Sequence, residues 1–131
     1  DGECVVPTLT GSIGGSVPLG AGPGSISMLA FLDADEQDFI IRANAERYVD
    51  YRELTADKVR RLIEETRRRG YAVDIGELIP GIAGVAMPVI LEGEKPAASL
   101  GFTLLCAKLS LGTIEHYASL LSEEIAAITG Q

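Results

Sequence analysis

A helix that stops on a glycine and runs directly into three β-patterned segments constrains this chain more than any other feature. Thr55 is a good N-cap, Val59, Leu62, Ile63 and Thr66 recur at helical spacing, and Gly70 supplies the C-terminal stop. The pattern then changes. Tyr71 to Ile75 reads as a strand and Ile82 to Leu91 as a second, with a loop through Gly76, Pro80 and Gly81 between them. Glu92-Gly93-Glu94-Lys95 reads as a hairpin turn and Ala97 to Leu105 as a third strand, so Val85–Ile90 and Ala98–Leu104 are expected to pair antiparallel.

The flanking segments complete the order. Cys4 to Leu9 reads as a short strand running into a Gly/Ser-rich loop, Gly11 to Ser16. A short buried helix is expected from near Pro23 to Asp33, carrying Ile26, Met28, Leu29, Phe31 and Leu32. A second starts near Asp35, with Asp35 and Glu36 complementing the dipole in its first turn, and runs through Phe39, Ile40 and Ala43 to Arg47. Tyr48 to Leu54 is read as connecting chain. The last helix begins at about Ser110, ends near Gly130, and places Ile114, Tyr117, Ala118, Leu121, Ile125 and Ile128 on one stripe. The 131 residues amount to one domain, and this order implies an α+β fold in which helices cover an antiparallel sheet.

Several function classes are disfavoured by the residues present. Eleven Lys and Arg against 19 Asp and Glu give a net charge of −8, which opposes attraction to a phosphate backbone. Cys4 and Cys106 are too few for a disulfide framework and have no zinc-ligand spacing; they read as free thiols in a reducing cytosol. The longest apolar stretches, such as Ile79 to Leu91, are interrupted by Pro and Gly and are too short to span a bilayer. Asp1-Gly2-Glu3 has no features of a secretory signal and reads as a cut end. Catalysis is not expected: His116 is the single histidine, with Glu115 beside it on a helix, and no Gly-x-Ser-x-Gly elbow is present. No metal or cofactor is implied.

Two segments carry binding potential. Gly20-Ala21-Gly22-Pro23-Gly24-Ser25 lacks the ending of a phosphate loop, yet a Gly-rich turn leading into a helix exposes N–H groups suited to a carboxylate; equally, it is a tight turn that lets the helix start. Asp74 ends one strand and the small residues Gly81, Ala83 and Gly84 open the next, which leaves room for something to pack there; Asp74 also suits a turn or cap. Arg60, Arg61, Arg67, Arg68 and Arg69, interleaved with Glu64 and Glu65, read as a solvated helix face.

Arg68-Arg69-Gly70-Tyr71-Ala72-Val73-Asp74, Glu77, Gly81 to Val89 and Ala97-Ala98-Ser99-Leu100 closely resemble the effector-binding domain of IclR-type bacterial transcriptional regulators. Pro18 to Ser25 with Leu29-Ala30 resembles the same family's pocket loop, and the likeness covers nearly the whole chain. The resemblance implies a GAF-like, profilin-like antiparallel sheet flanked by helices. It also implies a cytoplasmic sensor domain, here residues 1–131 and N-terminally incomplete, that joins an absent winged helix-turn-helix and reaches promoter DNA only through it. A small organic acid, a carboxylate or aromatic acid, is the implied effector, and the chain is expected to form a homodimer or tetramer.

Carried over residue by residue, the family's pocket positions fall on Pro23, Gly24, Ser25, Asp74, Gly84, Gly101 and Thr103. The N–H groups near Gly24 and Ser25 would take the effector's carboxylate, and Asp74 and Thr103 its polar far end. Some members place Cys or Ser where Gly84 and Gly101 stand, so the pocket is expected to gain volume and to favour a larger or more apolar effector. The alternative is a structural dimerisation module without a small-molecule ligand, distinguished by whether an open polar cavity exists.

Overall fold

In the computed structural model, which describes residues 20–51, 54–77 and 79–130, the chain reaches its first helix through two glycines with positive φ, Gly20 at 112° and Gly22 at 97°. Such angles are open to glycine at little cost. Pro23 then opens α1 (Pro23–Leu29), where its missing N–H is no loss. Helix α2 (Ala34–Tyr48) is N-capped by Asp33, whose carboxylate accepts the Glu36 N–H at 2.9 Å. The expected strand over Cys4–Leu9 and the Gly11–Ser16 loop lie outside the described residues.

The inward side of α2 departs from its apolar run. Phe39 is 74% exposed, whereas Ile41 and Tyr48 are buried, with Gln37 and Asn44 half-buried at matching helical positions. The Gln37 side-chain amide donates to the carbonyls of Leu29, Ala30 and Leu32 at 3.1, 3.2 and 3.0 Å. It thereby satisfies the open end of α1 and fixes the rotation of α2. Tyr48, read from sequence as connecting chain, is instead the last residue of α2 and among the largest fully buried side chains.

Helix α3 (Ala56–Arg69) has the expected ends: Thr55 Oγ1 accepts the Lys58 N–H at 3.1 Å, and Gly70, at φ 92°, donates its N–H to the Thr66 carbonyl at 2.7 Å. Val59, Ile63 and Thr66 are buried, while the arginine-rich side faces solvent and Arg60 pairs with Asp38 at 2.8 Å. Ala21, Ile26, Leu29, Ile41, Tyr48, Leu54, Val59, Ile63 and Ala72 form one continuous core.

Three antiparallel strands follow, β1 (Ala72–Ile75), β2 (Ile82–Ile90) and β3 (Pro96–Leu105), in that order across the sheet. Val85 faces Phe102 and Val89 faces Ala98, the hairpin pairing expected from sequence. Helix α4 (Leu111–Thr129), N-capped by Ser110 and ended by Gly130, covers one face with Ile114, Ala118 and Leu121 against Val85, Met87 and Leu100. The Phe102 and Tyr117 rings meet at 4.7 Å between centroids. The stripe on α4 is covered only in part, since Ile128 is 60% exposed. Among the described residues no helix is long and apolar enough to cross a membrane.

Candidate functional site

Side chains alternate along a strand and opposed residues share a face, so the register puts Asp74, Gly84 and Thr103 in one row across the sheet and Ala72, Ala86 and Gly101 in the next. This is the face turned toward α1. Its small residues let α1 lie close: a Cβ on Gly84 would stand 2.8 Å from Pro23 Cγ, and one on Gly24 would stand 3.0 Å from Ser99 Oγ.

Beside this contact, α1, α3 and β1 enclose a cavity of about 40 Å³, counted as the space that water centres can occupy. Its apolar walls are Pro23 and Ile26 of α1, Leu54, Leu62 of α3 and Ala72 of β1. Its polar groups are Lys58 and Thr66 of α3, Asp74 of β1, and Glu77 in the following loop. Thr66 is buried, and the Lys58 ammonium donates to Glu77 Oε2 as an ion pair. A few polar groups set in an apolar wall suit a small organic ligand with one charged end.

Of the residues singled out from sequence, Pro23 and Asp74 line this cavity. The others do not. Gly24 faces Ser99, and the Ser25 hydroxyl accepts the Gly20 N–H at 2.6 Å, which commits it to the loop. Gly84 lies beneath Pro23, and Thr103 borders a separate groove with Leu104, Leu105, Thr113 and Tyr117. The expected gain in pocket volume is corrected by the packing: Pro23 fills the space at Gly84, and a Cβ on Gly101 would stand 2.8 Å from the Val85 carbonyl oxygen. Both glycines permit close approach and leave no void.

The sequence reading missed Lys58, Leu54, Leu62 and Thr66 as cavity residues; Glu77 stood within the family-like segment without an assigned role. Lys58 and Glu77 are 19 positions apart, and only the packing of α3 beside β1 brings them together. Among the described residues no group of three or more His, Cys, Asp or Glu could hold a metal ion. Cys106 is a free thiol, and Cys4 lies outside the described residues.

The family described as bacterial transcriptional regulator IclR C-terminal matches residues 5–129. An IclR transcriptional regulator from Alicyclobacillus acidocaldarius is 26% identical, with a TM-score of 0.76 over 87% of this chain and 46% of that one. The Thermotoga maritima IclR is 27% identical, with a TM-score of 0.74 over 86% of this chain and 47% of that one. An IclR homologue from Microbacterium hydrocarbonoxydans, solved in complex with 4-hydroxybenzoate, is 22% identical, with a TM-score of 0.68 over 87% and 45%. This chain therefore spans about half the length of the regulators it matches.

Proposed function

Because this chain belongs to the IclR C-terminal family of bacterial transcriptional regulators, we propose that it is the effector-sensing and oligomerisation part of such a regulator, taking a small organic acid in the cavity between α1, α3 and β1. One observation carries the reading: an apolar cavity with Lys58, Asp74 and Glu77 among its lining residues. The complex of a related regulator with 4-hydroxybenzoate supports an organic acid as the ligand class.

The domain acts by binding and not by turnover. His116 is exposed on α4, edge-on to Tyr117 at 5.6 Å, and α4 covers the sheet face opposite the cavity. Promoter DNA is reached through a further domain, since a net charge of −8 opposes direct contact with phosphates. Leu111, 72% exposed, and Ile128, 60% exposed, supply apolar surface on α4 for self-association. An effector that binds one arrangement of the oligomer more tightly shifts the equilibrium by that difference in affinity.

Thermal unfolding of this chain against a panel from pyruvate to 4-hydroxybenzoate tests the reading. At about 100 times its Kd a ligand of the native state adds roughly 2.7 kcal/mol, a rise of several degrees in Tm for a domain of this size. A flat response to every acid favours the structural dimerisation module instead.

A further inference from the structure

Charge is unevenly distributed around the cavity. Among the described residues that line it, Lys58 is the one cation, against two carboxylates, Asp74 and Glu77. An organic acid entering beside Asp74 therefore meets a like charge, and among the described residues Lys58 is the lining side chain that offers the opposite sign. That ammonium is already engaged, because it donates to Glu77 Oε2. The Lys58 side chain is 20% exposed while Glu77 is 56% exposed, so the lysine lies mostly covered and its partner sits on the solvent side. Lys58 is also held in place from behind, since its backbone N–H is bound by the Thr55 hydroxyl at the start of α3.

We propose that Lys58 is the carboxylate-binding and specificity-determining residue of this cavity, and that Glu77 is a built-in competitor occupying it until the effector's carboxylate takes over. The inference rests on the organic-acid reading of the cavity. An ammonium has three donors, so Lys58 can pass from Glu77 to the ligand, or be shared between them. Each exchange replaces one charge-assisted bond with another. Glu77 thus lowers affinity for every acid without contributing to the binding of uncharged analogues. A neutral analogue leaves the pair in place, so Glu77 acts on the affinity of the anion alone.

Titration calorimetry on the whole chain, using pyruvate and 4-hydroxybenzoate with their neutral amides as probes, tests the proposal. Glu77 is 56% exposed and glutamine keeps the length and polarity of either side chain, so Glu77→Gln and Lys58→Gln are expected to fold, which a thermal melt verifies. Glu77→Gln is expected to bind the acid roughly ten-fold tighter with no change for the amide, and Lys58→Gln roughly ten-fold weaker. In the Lys58→Gln background, Glu77→Gln is expected to have little further effect. If the wild type binds an acid and Glu77→Gln leaves that affinity unchanged, or shifts acid and amide equally, the proposal is overturned while the sensor reading stands. If neither the wild type nor Glu77→Gln binds any acid, the sensor reading fails and takes the proposal with it. Tighter binding of 4-hydroxybenzylamine than of 4-hydroxybenzoate overturns the assignment of Lys58, because the two carboxylates would then be the recognition groups.

Discussion

Gly84→Ala tests how α1 is seated on the sheet. A glycine inside a strand ordinarily weakens it, so replacement by alanine should stabilise by about 0.5–1 kcal/mol through reduced backbone entropy in the unfolded chain. At position 84 the sign is expected to reverse. The new Cβ would stand 2.8 Å from Pro23 Cγ and 3.8 Å from Pro23 Cδ, whereas carbon atoms prefer roughly 3.5–4.0 Å. The Pro23 ring, at the start of α1, must therefore retreat by about 0.7 Å or more, and overpacking of this kind costs about 1–3 kcal/mol. The net loss is up to about 2.5 kcal/mol with a midpoint of about 1.2 kcal/mol, and at roughly 4 °C per kcal/mol for a domain of this size Tm falls by about 5 °C at that midpoint. Circular-dichroism melts with urea titrations measure it. Gly112→Ala is the control: a Cβ there meets only Ser110 Oγ at 3.9 Å, so Tm should rise. In a Pro23→Ala background, which removes the Cγ, the penalty of Gly84→Ala should largely vanish, giving a coupling of about 0.5–3 kcal/mol. A Gly84→Ala variant more stable than the wild type, or equally destabilised with and without the Pro23 ring, refutes this account.

Thr55→Ala and Ser110→Ala each remove an N-cap acceptor, at 3.1 Å from the Lys58 and Thr113 N–H groups respectively, and each should lower stability by about 1 kcal/mol in urea titrations. Gly20→Ala should be more damaging than either, because the position has φ 112° and its Cβ would collide with the Tyr48 hydroxyl. On the acid side, the Glu36 N–H holds the Asp33 carboxyl below its ordinary pKa, and the Arg60 guanidinium does the same for Asp38. A depressed folded-state pKa contributes stability that is present above the unfolded value and lost as pH falls through the folded one. Asp33→Asn and Asp38→Asn should therefore flatten the fall in Tm below about pH 4. Lys95 has the opposite sign: its hydrogen bond to Glu36 raises its pKa, so its contribution persists below the unfolded value and disappears only in strong alkali, where Lys95→Met should show a shallower loss of Tm.

Regular elements were legible where their signals were local. Thr55, Gly70, Ser110 and Gly130 mark helix ends through their own side-chain oxygen or their own φ, and all four stand at the ends of α3 and α4. The hairpin was legible for the same reason, since its turn and its alternation are contiguous. The inward side of α2 was not, because two of its four positions are polar: Gln37 caps α1 and Asn44 bonds the Ile40 carbonyl at 2.8 Å. Hydrophobic periodicity cannot register a face built partly from amides. The candidate site was legible at Pro23 and Asp74, each beside a glycine-rich or strand-end signal. Lys58 and Thr66 carried none, since a lysine in a first helical turn reads as solvated and a threonine on an apolar stripe reads as core.

The glycines of the sheet act on the cavity from outside it. Gly84 and Gly101 share one face with Asp74 and Thr103, yet neither glycine borders the open space. Gly84 lets the Pro23 ring settle onto β2, and Gly24 brings α1 against Ser99 of β3, so the helix start lies low over the middle of the sheet. Helix α3 packs beside it over β1, and the wedge left between the two helices is the cavity. A larger side chain at position 84 would therefore move one wall of the cavity through Pro23. On the sensor reading, a small acid held in this cavity would touch both helices and β1, beside the core in which Ile26 and Leu29 of α1 meet Val59 and Ile63 of α3. If the seating of α1 on α3 differs between two arrangements of the protein, such a ligand would favour the arrangement it binds more tightly, by no more than the difference in affinity.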